Sequence, residues 1–238
     1  MQDFSHYIDN SLDILLLQKY NVTTSTDALR KGATMADITI YHGSPYIVKT
    51  PDISKSRYDT DFGRGFYCTC DAELAKEWAC DERRSGYINS YTIDTSNLRI
   101  LDLHDEIYSP LNWLALLVNN RAVRVRTPLQ RRAIEWLKNE YLVDVDKFDI
   151  VVGYRADDSY FSIVRAFVMN SISLEQLTQA LHLGGWGDQF VIKSKKAYSL
   201  IHYLESVPVD HKVYYPKRKK RNDDASGAFY GRNHYARI

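Results

Sequence analysis

Cysteine is scarce in this chain, and its three copies, Cys68, Cys70 and Cys80, are odd in number and clustered, which suits a reduced compartment better than a disulfide framework. Surplus charge is missing too. Lys and Arg number 31 against 30 Asp and Glu, so a net charge of +1 provides no global field to steer the chain toward nucleic acid or an anionic membrane. The longest apolar runs, Ile14 to Leu17 and Trp113 to Val118, fall far short of the roughly 20 residues that a membrane-crossing helix needs. The N-terminus lacks a basic leader followed by an apolar stretch and a small-residue cleavage site, so a cytoplasmic location is expected, with no membrane partner.

Several chemical signatures are absent as well. Cys68-x-Cys70 followed by Cys80 is not the paired C-x-x-C spacing of a structural zinc site, and no His lies in that segment, so no metal is expected and the thiols read as free. Gly63-x-Gly65 has no third glycine at dinucleotide-fold spacing, and neither G-x-x-x-x-G-K-[S/T] nor the serine elbow G-x-S-x-G occurs.

What remains is the composition of a globular protein, 45% hydrophobic and 26% charged over 238 residues, enough for one generous domain or two small ones. Aromatics reach 13%, with 18 Tyr, a supply of rings that could stack on a ligand.

Residues 4 to 20 carry Ile8, Leu12, Leu15, Leu16 and Tyr20 at helical spacing, and a short helix is expected from Asp27 to Lys31, so residues 1–36 read as a helical N-terminal segment. A main domain over 37–215 opens with a strand from Ile38 to the turn at Gly43-Ser44-Pro45. A glycine-flanked strand follows within Asp61 to Cys70, and Asp71 caps a helix reaching about Arg83. Further strands are expected at Tyr87–Ile93, Leu98–Leu101 and Phe148–Tyr154. Helices are expected at Leu111–Asn120, from Thr127-Pro128 to Tyr141, at Ser159–Met169, and from the capping box Ser173-Leu-Glu-Gln176 to about His182, where Gly184-Gly185 stops the last. Gly187 to Lys193 alternates as a strand, placing Gln189, Val191 and Lys193 on one face. Ser194 then caps a helix expected through Tyr203, and residues 216–238 read as a basic, exposed tail. The pattern by itself says mixed α and β.

Two motifs stand out together: Tyr41-His42-Gly43-Ser44, and Asp61-Phe-Gly-Arg-Gly-Phe-Tyr67 with the aromatic Trp78 eleven residues beyond Tyr67. They resemble the ADP-ribosyltransferase superfamily, in its His-Tyr-Glu branch that includes diphtheria toxin and the poly(ADP-ribose) polymerases, where H-G-[S/T] and F-G-x-G-x-Y recur in this order. The layout from His42 through Gly153–Phe161 to Gly187–Ser194 is also similar to an uncharacterised bacterial family assigned to that superfamily, over about residues 37 to 205. The resemblance implies an α+β fold with a split core of two short antiparallel sheets, surrounding helices and NAD in the cleft.

It also implies roles. His42 would bond ribose hydroxyls, Gly43 would offer backbone N–H and C=O to the nicotinamide carboxamide where its missing side chain permits close approach, and Ser44 would add a contact nearby. Tyr67 and Trp78 would sandwich the nicotinamide ring. Gln189 occupies the third catalytic slot, where the branch has Glu or sometimes another residue. His42, Tyr67 and Gln189 form the expected catalytic set. An amide accepts and donates hydrogen bonds but carries no charge to stabilise an oxocarbenium-like transition state, so Gln189 favours mono-ADP-ribosylation over chain elongation. The nearest acidic alternatives, Glu175 and Glu205, fall in expected helices. Arg64 reads either as solvated or as a pyrophosphate contact. Asp157 and Asp158, in the loop running to Tyr160 and Phe161, either border the pocket or sit before a helix N-terminus.

The expected function is NAD-dependent mono-ADP-ribosyl transfer in a bacterial cytoplasm, by a toxin or regulatory modifier. The partners this implies are NAD as substrate, a macromolecular acceptor and, for a toxin, a neutralising partner protein. Two alternatives stay open: a catalytically silent NAD-binding or nucleotide-binding module, and a nucleic-acid-binding protein acting through Lys217–Arg221.

Overall fold

A computed structural model describes residues 37–156, 164–183 and 187–235. The N-terminal helical segment, the loop carrying Asp157, Asp158, Tyr160 and Phe161, the first part of the helix expected from Ser159, and the Gly184-Gly185 stop lie outside the described residues.

Two small sheets form the core of an α+β fold. The first has three antiparallel strands in the order β1 (Asp37–Ser44), β3 (Gly86–Asp94) and β7 (Ile201–Val209). The second has four, in the order β2 (Phe66–Cys68), β6 (Asp188–Ile192), β5 (Ile150–Tyr154) and β4 (Ile100–Asp102). This second sheet is not wholly antiparallel as expected, because β4 runs parallel to β5. A parallel pair needs a long crossover, and here it contains two helices, α2 (Pro110–Asn120) and α3 (Pro128–Tyr141). α3 begins as the sequence suggests, at Thr127 ahead of a first-turn proline, and α2 begins in the same way at Ser109 and Pro110, both through capping boxes.

The four-stranded sheet is a middle layer. Val151 and Val191 project from one face into a core with Trp113, Leu114 and Leu117 of α2, Leu137 of α3, and Leu177 and Leu181 of α4 (Leu174–Leu183). From its other face Phe66 meets Tyr91 of β3 edge-on, with ring centroids 5.5 Å apart, so the three-stranded sheet packs there. On the far side of that smaller sheet lies α1 (Ala72–Ala79), its Ala75 and Ala79 against Ile88. Asp71 caps α1 as expected, accepting from the N–H groups of Glu73 and Leu74 at 2.8 and 3.2 Å. The helix stops at Ala79 rather than Arg83, because Asp81 folds the chain into a turn by accepting from Arg83 N–H at 3.0 Å. Cys68 and Cys80 are buried and Cys70 is partly buried, none of them in a disulfide.

Two expectations near the C-terminus are overturned. Ser194 does cap a helix, but α5 (Lys195–Tyr198) lasts one turn, and the chain then forms β7 along the free edge of β3. Glu205 therefore sits on a strand. The basic run Lys217–Arg221 lies within a helix, α6 (His211–Tyr235), docked on α1. There Arg221 donates twice to Glu77, both at 2.9 Å, Lys217 pairs with Glu73 at 3.1 Å, and Arg218 donates to the Cys80 carbonyl at 3.1 Å. Glu77 is only 3% exposed, so its charge is held by that two-pronged guanidinium contact.

Candidate functional site

The two sheets meet at β1. Tyr41 exchanges both backbone hydrogen bonds with Thr69, at 2.8 and 2.9 Å, in an isolated bridge just beyond β2. The next residue, His42, shares a face of β1 with Ile40 and points at the four-stranded sheet. Its Nδ1–H donates to the Tyr67 carbonyl at 2.7 Å, and its ring lies on Phe66 with centroids 4.5 Å apart. Burial holds this imidazole below the usual histidine range, against the pull of the Tyr67 carbonyl. The ring is therefore neutral at pH 7. Since a carbonyl only accepts, Nδ1 carries the proton and Nε2 is left as an acceptor.

Gly43 is a glycine for a reason invisible in its motif: a Cβ there would lie 2.0 Å from the Ala75 carbonyl oxygen and 2.7 Å from Ala79 N, in the backbone of α1. The helix, not a ligand, fills that space. Strand alternation turns the N–H and C=O of Gly43 the same way as those of Tyr41, toward the edge past the single bridge. The Ser44 hydroxyl is turned inward, accepting from Tyr46 N–H at 3.1 Å to close the turn. Asn89 holds this turn from β3, donating to the carbonyls of His42 and Tyr46 and accepting from Val48 N–H.

The loop from Thr60 to β2 explains the second motif. Gly63 has φ of 70°, a left-handed turn that side chains disfavour. Phe62 is buried in the large core. The Tyr67 hydroxyl accepts from Phe62 N–H at 2.9 Å and lies 2.9 Å from Thr60 Oγ1 and 2.7 Å from the Gly63 carbonyl, latching the loop. Burial pushes the phenol well above its ordinary range, so it stays protonated. Arg64 also proves structural, donating to the Ile53 carbonyl at 2.7 Å and the Tyr58 hydroxyl at 2.9 Å.

The latch positions Asp61, which the sequence reading left without a role. This carboxylate is 4% exposed and receives three N–H donors: Arg121 Nη1 at 2.9 Å, Ala156 N–H at 2.9 Å and Gln189 Nε2 at 3.1 Å. Burial pushes its pKa up, opposed by the Ala156 N–H and by Arg121. Pairing of Tyr67 with Val191 puts the side chains of Tyr67 and Gln189 on the same face of the sheet. Gln189 is 6% exposed, and among the described residues its buried Oε1 has no hydrogen-bond partner. Trp78, on α1, is in the same condition: its buried Nε1 has no partner among the described residues, while the Arg155 guanidinium covers its ring at 4.8 Å from the centroid. Arg155 in turn precedes Ala156, which bonds Asp61.

So the structure brings Tyr67, Gln189 and the unforeseen Asp61 together, and places Trp78 one residue contact away through Arg155. His42 joins them through the Tyr67 carbonyl, but its ring lies on the Phe66 side of β2 and does not touch the amide. On that side, next along the chain from Gln189, Asp188 Oδ1 is 3.0 Å from His104 Nε2, and His104 Nδ1 is 2.7 Å from Asp102 Oδ1. Burial alone would lower the His104 pKa, but the two carboxylates prevail and push it up to about 9. The signal for that triad in the sequence is slight, an Asp two residues before a His and a second Asp far downstream.

Residues 38–203 match a family described as proteins of unknown function, DUF3990, and the chain belongs to that family. No curated protein and no solved structure matches the chain.

Proposed function

We propose that this protein binds NAD and transfers its ADP-ribose to an acceptor, as its resemblance to the ADP-ribosyltransferases implies. The observation that carries the reading is the pair of orphaned buried atoms, Trp78 Nε1–H and Gln189 Oε1. Buried polar groups without partners are uncommon in folded proteins, and each of these two atoms is a point at which a polar ligand could be met. Both belong to residues that the motifs assign to the nicotinamide and its ribose. In the reaction the bond from ribose C1′ to the nicotinamide nitrogen breaks, and neutral nicotinamide leaves with the electron pair. The acceptor's nucleophile then bonds C1′ and gives up its proton. Gln189 Oε1 would accept from the 2′-hydroxyl, the neutral His42 Nε2 from a second ribose hydroxyl, and the Gly43 backbone would meet the carboxamide.

A silent NAD-binding module is the second reading, favoured by the uncharged amide at Gln189 and by the latched phenol of Tyr67. One experiment separates the two. Addition of NAD is expected to raise the melting temperature, and incubation with NAD and cell lysate to release nicotinamide and label an acceptor; Trp78→Phe and Gln189→Met weaken both signals. A melting shift without nicotinamide release leaves the silent module, and no shift at millimolar NAD removes the site. The nucleic-acid reading has lost ground, because Lys217, Arg218, Lys220 and Arg221 all have partners within the chain.

A further inference from the structure

We propose that Asp61 is a positioning residue: it holds the Gln189 amide by its nitrogen, turns Oε1 outward as an acceptor, and makes Gln rather than Glu the side chain this site requires. The inference deepens the NAD-site reading and rests on it for the identity of the ligand, though not for the coupling of the two residues.

The geometry leaves little freedom. Asp61 Oδ1 is taken by Arg121, and Oδ2 accepts from both Ala156 N–H and Gln189 Nε2. Each contact supplies a donor, so only the nitrogen end of the amide can face this carboxylate. The flipped amide would set two acceptors against each other. Oε1 must then point away, and it does so into a buried position where no described residue offers it a hydrogen bond. Asp61 is itself fixed from three directions. Arg121 closes α2, Ala156 follows β5, and the neighbouring residue Phe62 is gripped by the Tyr67 hydroxyl through its N–H and by Lys193 Nζ through its carbonyl. The Asp61-to-Tyr67 motif is, in these terms, a mount for one carboxylate.

The same geometry explains the departure at the third catalytic position. A Glu at 189 would bring a second carboxylate to about the 3.1 Å that now separates amide nitrogen from Asp61 oxygen. Two carboxylates that close, largely buried, do not both ionise, and one retains a proton at neutral pH. Among the described residues, the charged groups around the pair are Arg121 at the end of α2, Arg155 just past β5 and Lys193 just past β6, with the protonated Tyr67 from β2. Arg121 is already committed to Asp61, so a second anion gains little from it. The negative charge that Gln189 lacks is thus already in the site, one hydrogen bond behind the atom presented to the ligand.

The test uses the full chain and needs no ligand for its first arm. Melting temperature is followed from pH 5 to pH 8.5 for the parent, Gln189→Glu, Asp61→Asn and the double variant. A carboxyl whose folded-state pKa is raised loses stability as pH climbs toward that value, so Gln189→Glu is expected to fall steeply against the parent. The double variant, with one carboxylate and one amide restored to the pair, is expected to lose that excess slope. Equal slopes for parent and Gln189→Glu overturn the proposal, as does a double variant as steep as the single one. Should Gln189→Glu fold at no pH, a folded double variant supports the coupling and an unfolded one overturns it. In the second arm, 1 mM NAD is added to each folded variant at pH 7.5. Asp61→Asn is expected to reduce the melting shift at least tenfold in apparent affinity, with partial recovery in the double variant. If the pH coupling holds but NAD shifts no form, Asp61 keeps its role and the NAD reading fails.

Discussion

Raising the pH should weaken this fold through His104. That imidazole lies between Asp102 and Asp188, with the Tyr154 ring packed edge-on at 4.5 Å, and its pKa is pushed up to about 9 from 6.5. A histidine whose folded-state pKa exceeds its unfolded value contributes stability that is full below about 6.5 and lost as pH rises through about 9. At 1.36 kcal/mol per pH unit this amounts to about 3 kcal/mol, an upper figure because the 3.0 Å approach of Nε2 to Asp188 is poorly aligned for a hydrogen bond. For a chain of this size the loss corresponds to roughly 6–12 °C in melting temperature. The nearby Cys70 thiol, pushed up to about 12 from 9.0 by burial and by Asp188, begins to cost stability once the unfolded thiol ionises near pH 9, so the window that isolates His104 closes at about pH 8.5. Denaturation at pH 6.5, 7.5 and 8.5 should show the parent losing stability across the range. His104→Gln should start lower and run nearly flat. Parallel profiles for the two proteins would refute the reasoning.

Three further expectations concern the scaffold. Arg221→Ala strands Glu77 in a site that is 3% exposed and should cost about 2–3 kcal/mol in urea denaturation, whereas replacing both residues by Met should recover most of that loss. Gly43→Ala drives a methyl into the α1 backbone and should cost near the upper end of the roughly 1–3 kcal/mol typical of overpacking. Its melting temperature must therefore be measured before any lost activity is ascribed to ligand contact. Tyr67→Phe removes the partner of Phe62 N–H and should cost about 1–3 kcal/mol, with faster hydrogen exchange at the Phe62 amide as the local signature.

Local signals carried much of the architecture. Thr127-Pro128 and Asp71 announced their helices because a cap is written in two or three adjacent residues, and the alternation of 187–193 announced β6 for the same reason. Pairing is a different matter. Nothing near Ile100 says that its neighbour is Ile150, or that the two strands run parallel. The sequence of β7 reads as helix because Ser194 is a genuine cap, whereas the strand character of the residues beyond it depends on the vacant edge of β3. The basic run looked like a solvated tail because Glu73 and Glu77, which hold it, lie more than 140 positions earlier. In the candidate site, the family resemblance pointed to Gln189 and Trp78, but the role of Asp61 depends on three donors, from the ends of α2 and β5 and from β6, that only folding assembles.

The reach of α6 and β7 bears on how the protein can be cut. Trimming at residue 203, where the family match ends, would sever β7 after its third residue, bare the flank of β3 and remove the guanidinium that neutralises a buried acid. The boundary that homology draws is thus shorter than the unit that holds itself together, and a fragment made to it would be prone to clump through its raw strand.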